Sequence, residues 1–197
     1  MRKKKAQQEL TSSFLSCEKD LELIIKELFY NNRPYSDYLK RLLLINTKDC
    51  LDDMTNPAYI EKITNTTIAD LKKENYIITQ PRITLAEHEE VKSYIFISFD
   101  NFMNAASNSH YKNCEIHIDV LCHIDTWDLG DYRLRPIKIA GYIDAILNNA
   151  KLTGIGTLQL LRVKEYVVNE HLAGYCLTYL ATHGVDDSIP AEDDVIE

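Results

Sequence analysis

The stretch Glu115-Ile116-His117-Ile118-Asp119-Val120-Leu121-Cys122-His123-Ile124 decides how the second half of the chain folds. Apolar residues occupy every even position from 116 to 124. Successive side chains of a β-strand point to opposite faces of its sheet, so this alternation predicts a strand with one buried face and one wet face. Residues 92–99 alternate in the same way and predict a second strand.

The segments that follow this strand complete a small domain. Residues 127–130 predict a turn, and residues 134–150 carry apolar side chains at helical spacing. Two more strands are predicted at about residues 157–168 and 172–181. The order is β-β-α-β-β, which predicts the α+β class: a four-stranded, mainly antiparallel sheet with one helix packed across a face.

The segments before residue 80 predict helices instead. Residues 14–28 present one apolar face, and Pro34 ends that helix because proline disfavours a helical residue before it. A second amphipathic helix is predicted at 36–45. Asn56-Pro57 and Thr66-Thr67 are start signals for two shorter helices. These helices form an N-terminal extension that covers or flanks the helix-bearing face of the sheet.

The two ends of the chain differ from the rest in charge. Neither end offers apolar area to offset the entropy lost on ordering, so both are predicted to be flexible. The sequence therefore predicts four segments: a basic arm at residues 1–10, a helical region at 11–80, an α+β domain at 81–183 and an acidic tail at 184–197.

Charge and composition exclude several classes of protein. The 197 residues include 22 basic and 30 acidic side chains, a net charge of −8, which argues against sequence-specific nucleic-acid binding. It does not argue against an acidic wall that DNA merely passes. No apolar run approaches the roughly 18 residues of a membrane span, and none follows the basic N-terminus as in a signal peptide. The sequence thus predicts an intracellular protein whose five cysteines are reduced thiols.

The strand at 115–124 also carries the best candidate for a chemical site. His117, Asp119 and His123 share its wet face, and imidazole with carboxylate can bind a divalent metal. However, six residues of extended strand separate the two histidines by about 20 Å, so they cannot hold one ion together. We therefore predict no catalytic, cofactor-binding or metal-binding residues. A metal-dependent enzyme that uses His117 and Asp119 remains an alternative.

The same strand and a later one supply candidate interface residues. Tyr175 and Tyr179 share a face in the last predicted strand, and tyrosine suits interfaces because its ring is apolar while its hydroxyl stays wet. Core packing is the alternative for either tyrosine. The interface residues predicted from the sequence are His117, Asp119, Tyr175 and Tyr179.

Three segments carry a resemblance to a known family. The run Tyr111 to Val120 (YKNCEIHIDV), followed by a loop, a helix and two strands, resembles the tail terminator and tail-completion proteins of long-tailed bacteriophages. Leu42 to Asp49 (LLLINTKD) and Arg133 to Ile137 (RLRPI), with Ile143-Asp144 downstream, resemble phage neck and tail-joining proteins. The resemblance covers about residues 38–182.

The resemblance implies a structural virion protein. Members of this family form rings, commonly of six copies, at the junction of head and tail, and the genome passes through the ring. They carry no catalytic residues and no cofactor. The implied partners are other copies of the chain and the neighbouring neck and tail-tube proteins, and the implied location is the virion neck after synthesis in the host cytoplasm. The N-terminal extension leaves terminator, stopper and adaptor open, and a non-enzymatic binding module of another system is a further alternative.

Overall fold

The computed structural model describes residues 17–29, 34–79, 90–104, 112–152 and 156–183. The predicted basic arm at residues 1–10 and acidic tail at residues 184–197 lie outside the described residues.

Two helices of the described ranges begin where the sequence places their caps. The Asn56 side chain accepts a hydrogen bond from the Ala58 amide at 3.1 Å, and Pro57 occupies the first turn. Thr67 and Asp70 form a reciprocal capping box one helix later. The helices are α1 (residues 17–29), α2 (Pro34–Leu44), α3 (Pro57–Asn65), α4 (Ile68–Lys73) and α5 (Arg135–Leu147).

Five strands form the main sheet in the order β1-β2-β3-β7-β6. All neighbouring pairs are antiparallel except β1 and β2, which run parallel. A separate two-stranded ladder joins β4 to β5. The strands are β1 (Ile77–Ile78), β2 (Ser93–Asn104), β3 (Lys112–His123), β4 (Lys151–Leu152), β5 (Gly156–Thr157), β6 (Gln159–Val167) and β7 (Leu172–His183).

The α+β class is confirmed, but the expected four-stranded β-β-α-β-β arrangement is not matched. The four predicted strands are β2, β3, β6 and β7, with α5 between the pairs. The structure adds β1, a parallel edge strand in which Ile77 pairs with Ile95. β1 has only two residues, which is too short for an alternation to be read from the sequence.

The helices and the sheet enclose one core. Even-numbered side chains of β3, such as Ile116 and Ile118, face α5, and Ile118 lies between Ile97 of β2 and Leu177 of β7. Buried residues of α1, α2 and α5 belong to the same core cluster. The N-terminal helices therefore cover the same face of the sheet as α5, as predicted.

Arg135 joins the helical region to the sheet domain. Its side chain is fully buried, and its guanidinium group donates hydrogen bonds to four backbone carbonyls. Nε donates to Thr126 at 2.7 Å, and Nη1 donates to Leu42 at 2.7 Å and Ile45 at 2.8 Å, both at the end of α2. Nη2 donates to Thr47 at 2.8 Å. The last carbonyls of a helix have no partner inside the helix, and this arginine supplies one.

Gly174 lies too close to the neighbouring strand to carry a side chain. A Cβ atom there would lie 1.9 Å from the carbonyl oxygen of Val120 on the neighbouring strand. We expect Gly174→Ala to lower the free energy of unfolding by about 3 kcal/mol, because β3 and β7 must separate locally. Gly141→Ala is the matched control: no atom lies within 4 Å of a Cβ at this exposed helical position. Alanine should stabilise α5 there by up to about 1 kcal/mol. Thermal melting of both variants tests this, and a wild-type melting temperature for Gly174→Ala would contradict it.

Candidate functional site

A cluster of polar side chains lies on the outer face of the sheet, the face opposite α5. Odd-numbered residues of β3 point to this side, and two neighbouring strands bring further polar groups next to them. We call this set the polar cluster; its members are Glu115, His117, Asp119, Arg162, Cys176 and Thr178. It contains two of the four predicted interface residues.

Short contacts connect the polar cluster across three strands. His117 lies at its centre: its Nδ1 is 3.8 Å from the Cys176 Sγ, and its Nε2 is 3.3 Å from Glu115 Oε2. The Arg162 guanidinium reaches the same Glu115 oxygen at 3.6 Å from Nη2. Arg162 also donates from Nε to the Thr178 hydroxyl at 3.4 Å.

The order Cys176, His117, Glu115 matches that of a nucleophile, a base and an orienting acid. Whether Cys176 can act as a nucleophile depends on the protonation state of its thiol. Burial and then the hydrogen bond and negative charge of Asp119 raise the pKa of the Cys176 thiol to about 12. Burial likewise raises the pKa of Asp119 above its usual range. A thiol with that pKa stays protonated near neutral pH, and the thiolate is the nucleophilic form. Cys176 is therefore held as a protonated thiol in contact with His117 across β3 and β7.

His123 lies apart from the polar cluster, as the strand length predicts. Its ring stacks on His171 with centroids 5.7 Å apart, and its Nδ1 is 3.5 Å from a carboxylate oxygen of Asp125. Over the described ranges of the chain, no group of three or more His, Cys, Asp or Glu side chains is arranged to hold a metal ion.

The two predicted interface tyrosines lie on the other face of the sheet. Tyr175 and Tyr179 pair with Val120 and Ile116, so both point towards the helices. Tyr179 is fully buried, and its hydroxyl donates to Asp144 of α5 at 3.4 Å. Burial raises the pKa of Tyr179. The four predicted interface residues are therefore divided between opposite faces and do not form one surface.

The edge strand β6 is exposed to solvent, whereas the four predicted interface residues are buried or half-buried. It pairs with β7 on one side, and the described part of the chain places no strand on its other side. Every residue from 161 to 167 is exposed. The exposed apolar side chains of β6 and its end are Leu161, Val163, Tyr166 and Val167. The sequence predicts this strand but not its exposure to solvent. That exposure depends on how far the helices extend over the sheet, and they do not cover β6.

These features define an α+β protein with one helix-covered sheet face, an outer face on which the polar cluster lies beside a small apolar cluster, and a free edge at β6. Residues 36–181 match the sequence model of the YomW family, and this range runs from α2 into β7. The match spans most of the chain, so the protein belongs to the YomW family, which is phage-associated. A search among curated proteins finds no match. Within the described ranges, none of the helices is long and apolar enough to cross a membrane.

Proposed function

We propose that the protein is a structural component of a tailed-phage virion, in which copies form a ring at the head–tail junction and join tail to head around the DNA path. Its role in this proposal is geometric and not catalytic. Membership of a phage-associated family supports the phage setting. The observation that carries the proposal is the free edge of β6.

An exposed edge strand is a surface for pairing with another chain. Its outward N–H and C=O groups lack strand partners, and proteins that avoid such pairing shorten or cover their edges. β6 has nine residues, and its side chains Val163 and Val167 are about half exposed on the side facing α5. Burying apolar side chains of this size upon assembly stabilises the contact.

The charge of the chain suits a ring around DNA. The net charge of −8 gives the protein an overall negative potential, and DNA phosphates are repelled from acidic surfaces. A ring whose wall does not bind the genome allows DNA to move through it. In this proposal the partners are other copies of the chain, as in a hexamer, and the neighbouring neck and tail-tube proteins.

Val163→Lys tests the edge directly. Val163 is 49% exposed, so lysine should change the free energy of unfolding by less than about 0.5 kcal/mol. We expect the variant to remain monomeric in sedimentation velocity and to be missing from particles, while the wild-type chain forms assemblies and is present in purified virions. Ile60→Lys is the matched control, because Ile60 is 45% exposed and lies on α3 in the helical region and not on the sheet. A wild-type chain that stays monomeric and is absent from virions would overturn the proposed function.

A further inference from the structure

A hairpin between β3 and α5 presents a tyrosine to solvent in an unusual backbone conformation. Asp128 and Leu134 form its bridge, and the Arg133 amide donates to the Gly130 carbonyl at 2.9 Å to close a tight turn. The two central residues have positive φ angles, 50° at Asp131 and 61° at Tyr132. This is the pattern of a type I′ turn, whose second central position favours glycine. A tyrosine there strains the backbone.

Surrounding contacts hold this strained turn in place. The Arg133 guanidinium donates to both carboxylate oxygens of Asp52, at 2.6 Å and 2.7 Å. It also donates to the carbonyls of Gly130 at 3.3 Å and Leu129 at 3.1 Å. The hydrogen bond from Arg133 lowers the pKa of Asp52, so the pair stays charged at neutral pH. The turn is thus held by hydrogen bonds within the chain.

The side chain of Tyr132 makes no ring or cation contact within the described residues. Tyr132 is fully exposed, and its ring touches no other ring or cation there. The neighbouring Asp131 side chain is 93% exposed, with Arg133 at 3.8 Å as its nearest cation. Folding alone would favour glycine at position 132, since glycine adopts positive φ without strain. Strain that packing does not explain is a sign of function.

We infer that the Asp131-Tyr132 tip docks on the β6 edge of a second copy of this chain. This inference rests on the proposed function and identifies the two surfaces of its ring contact. A ring needs heterologous contacts, in which one patch meets a different patch on the next copy. Pairing of β6 with another β6 would be isologous and would stop at a dimer.

The two surfaces are built from different parts of the chain. The hairpin is tied to the loop after α2 through Asp52 and through Lys48, whose Nζ is 2.5 Å from Asp128. The same loop reaches the residue ahead of β2, where Asn46 donates to the Val91 carbonyl. β2 is separated from β6 by two strands. The hairpin and β6 are thus two different patches, as a head-to-tail contact requires.

The two surfaces also match in chemistry. The tip offers one carboxylate at Asp131 and one aromatic ring at Tyr132. β6 offers exposed Val163 on the α5 side of the sheet for the ring and exposed Lys164 on the outer side for the carboxylate, so the tip straddles the edge. No carboxylate within the described ranges pairs with Lys164. Aromatic side chains that insert between apolar neighbours are the residues that contribute most to protein interfaces.

Tyr132→Gly separates docking from folding. We expect this variant to raise the melting temperature by about 2–4 °C, because the strain of the turn is relieved. We expect its self-association, measured by sedimentation velocity over a concentration series, to weaken at least about tenfold. Tyr132→Phe is the control: it keeps the ring and should assemble as the wild type does.

A charge exchange tests the pairing of the two surfaces. Asp131→Lys and Lys164→Asp should each weaken assembly, and the double variant should restore it, because the contact is then reversed in sign. If the wild-type chain assembles and Tyr132→Gly assembles equally well, the hairpin is not the contact and only this inference fails. Absence of rescue in the double variant also overturns it. If the wild-type chain does not assemble at all, both this inference and the proposed function fail.

Discussion

Replacing Arg135 by methionine is expected to lower the free energy of unfolding by about 4 kcal/mol. Methionine fills much of the same volume, but it leaves the carbonyls of Thr126, Leu42, Ile45 and Thr47 without the donor that each has now. A buried polar group that loses its partner costs about 1–3 kcal/mol. The bonds to Thr126, Leu42 and Ile45 are buried, and the bond to Thr47 is partly buried. Urea denaturation followed by circular dichroism measures the loss.

Two further variants show whether the arrangement of the guanidinium group matters. Arg135→Lys keeps the charge but has one nitrogen in place of three, so it should recover about half of the lost stability. Arg162→Met is the matched control, because the Arg162 side chain is 61% exposed and should contribute less than about 1 kcal/mol. An unchanged urea midpoint for Arg135→Met would show that the four carbonyls find other partners.

Replacing Ile118 by aspartate is expected to unfold the protein. Ile118 is fully buried on the central strand, between Ile97 and Leu177. The change removes a buried side chain worth about 3 kcal/mol and adds a carboxylate with no cation to pair with, which costs several kcal/mol more. The sum of these losses approaches the whole stability of an ordinary domain.

Soluble expression and near-ultraviolet circular dichroism measure this effect. Ser98→Asp is the control: it adds the same charge on the neighbouring strand, at an exposed position opposite His117 on the outer face. That variant should fold with a stability within about 0.5 kcal/mol of the wild type. A soluble Ile118→Asp variant with a wild-type melting temperature would mean that β3 faces the other way.

The parts of the fold that follow from local pattern could be predicted from the sequence. The alternation around Ile118 is enough to predict β3 and the facing of its side chains, because the side-chain period of a strand is two. Asn56 and Thr67 mark helix starts because their side chains satisfy free backbone amides. β1 has no such signal, since a parallel pair between residues 77 and 95 depends on tertiary packing.

The candidate site could be predicted only in part, because strand register determines it. His117 and Asp119 lie on the outer face as predicted, but their neighbour Cys176 comes from another strand. Arg162 joins them because of a register shift in β6: Leu160 pairs with Tyr179 on the helix side, and Arg162 pairs with Thr178 on the outer side. In a regular strand these two residues would share a face, so no reading of the alternation could place Arg162 there.

The burial of Arg135 has a consequence for how the chain folds during its synthesis on the ribosome. The guanidinium group and the carbonyl of Leu42 are 93 positions apart, so the end of α2 leaves the ribosome long before its partner has been synthesised. Contacts between such distant positions form late and slow the search for the native state. We therefore expect the nascent N-terminal part to expose unpaired carbonyls at the end of α2 until Arg135 has been synthesised.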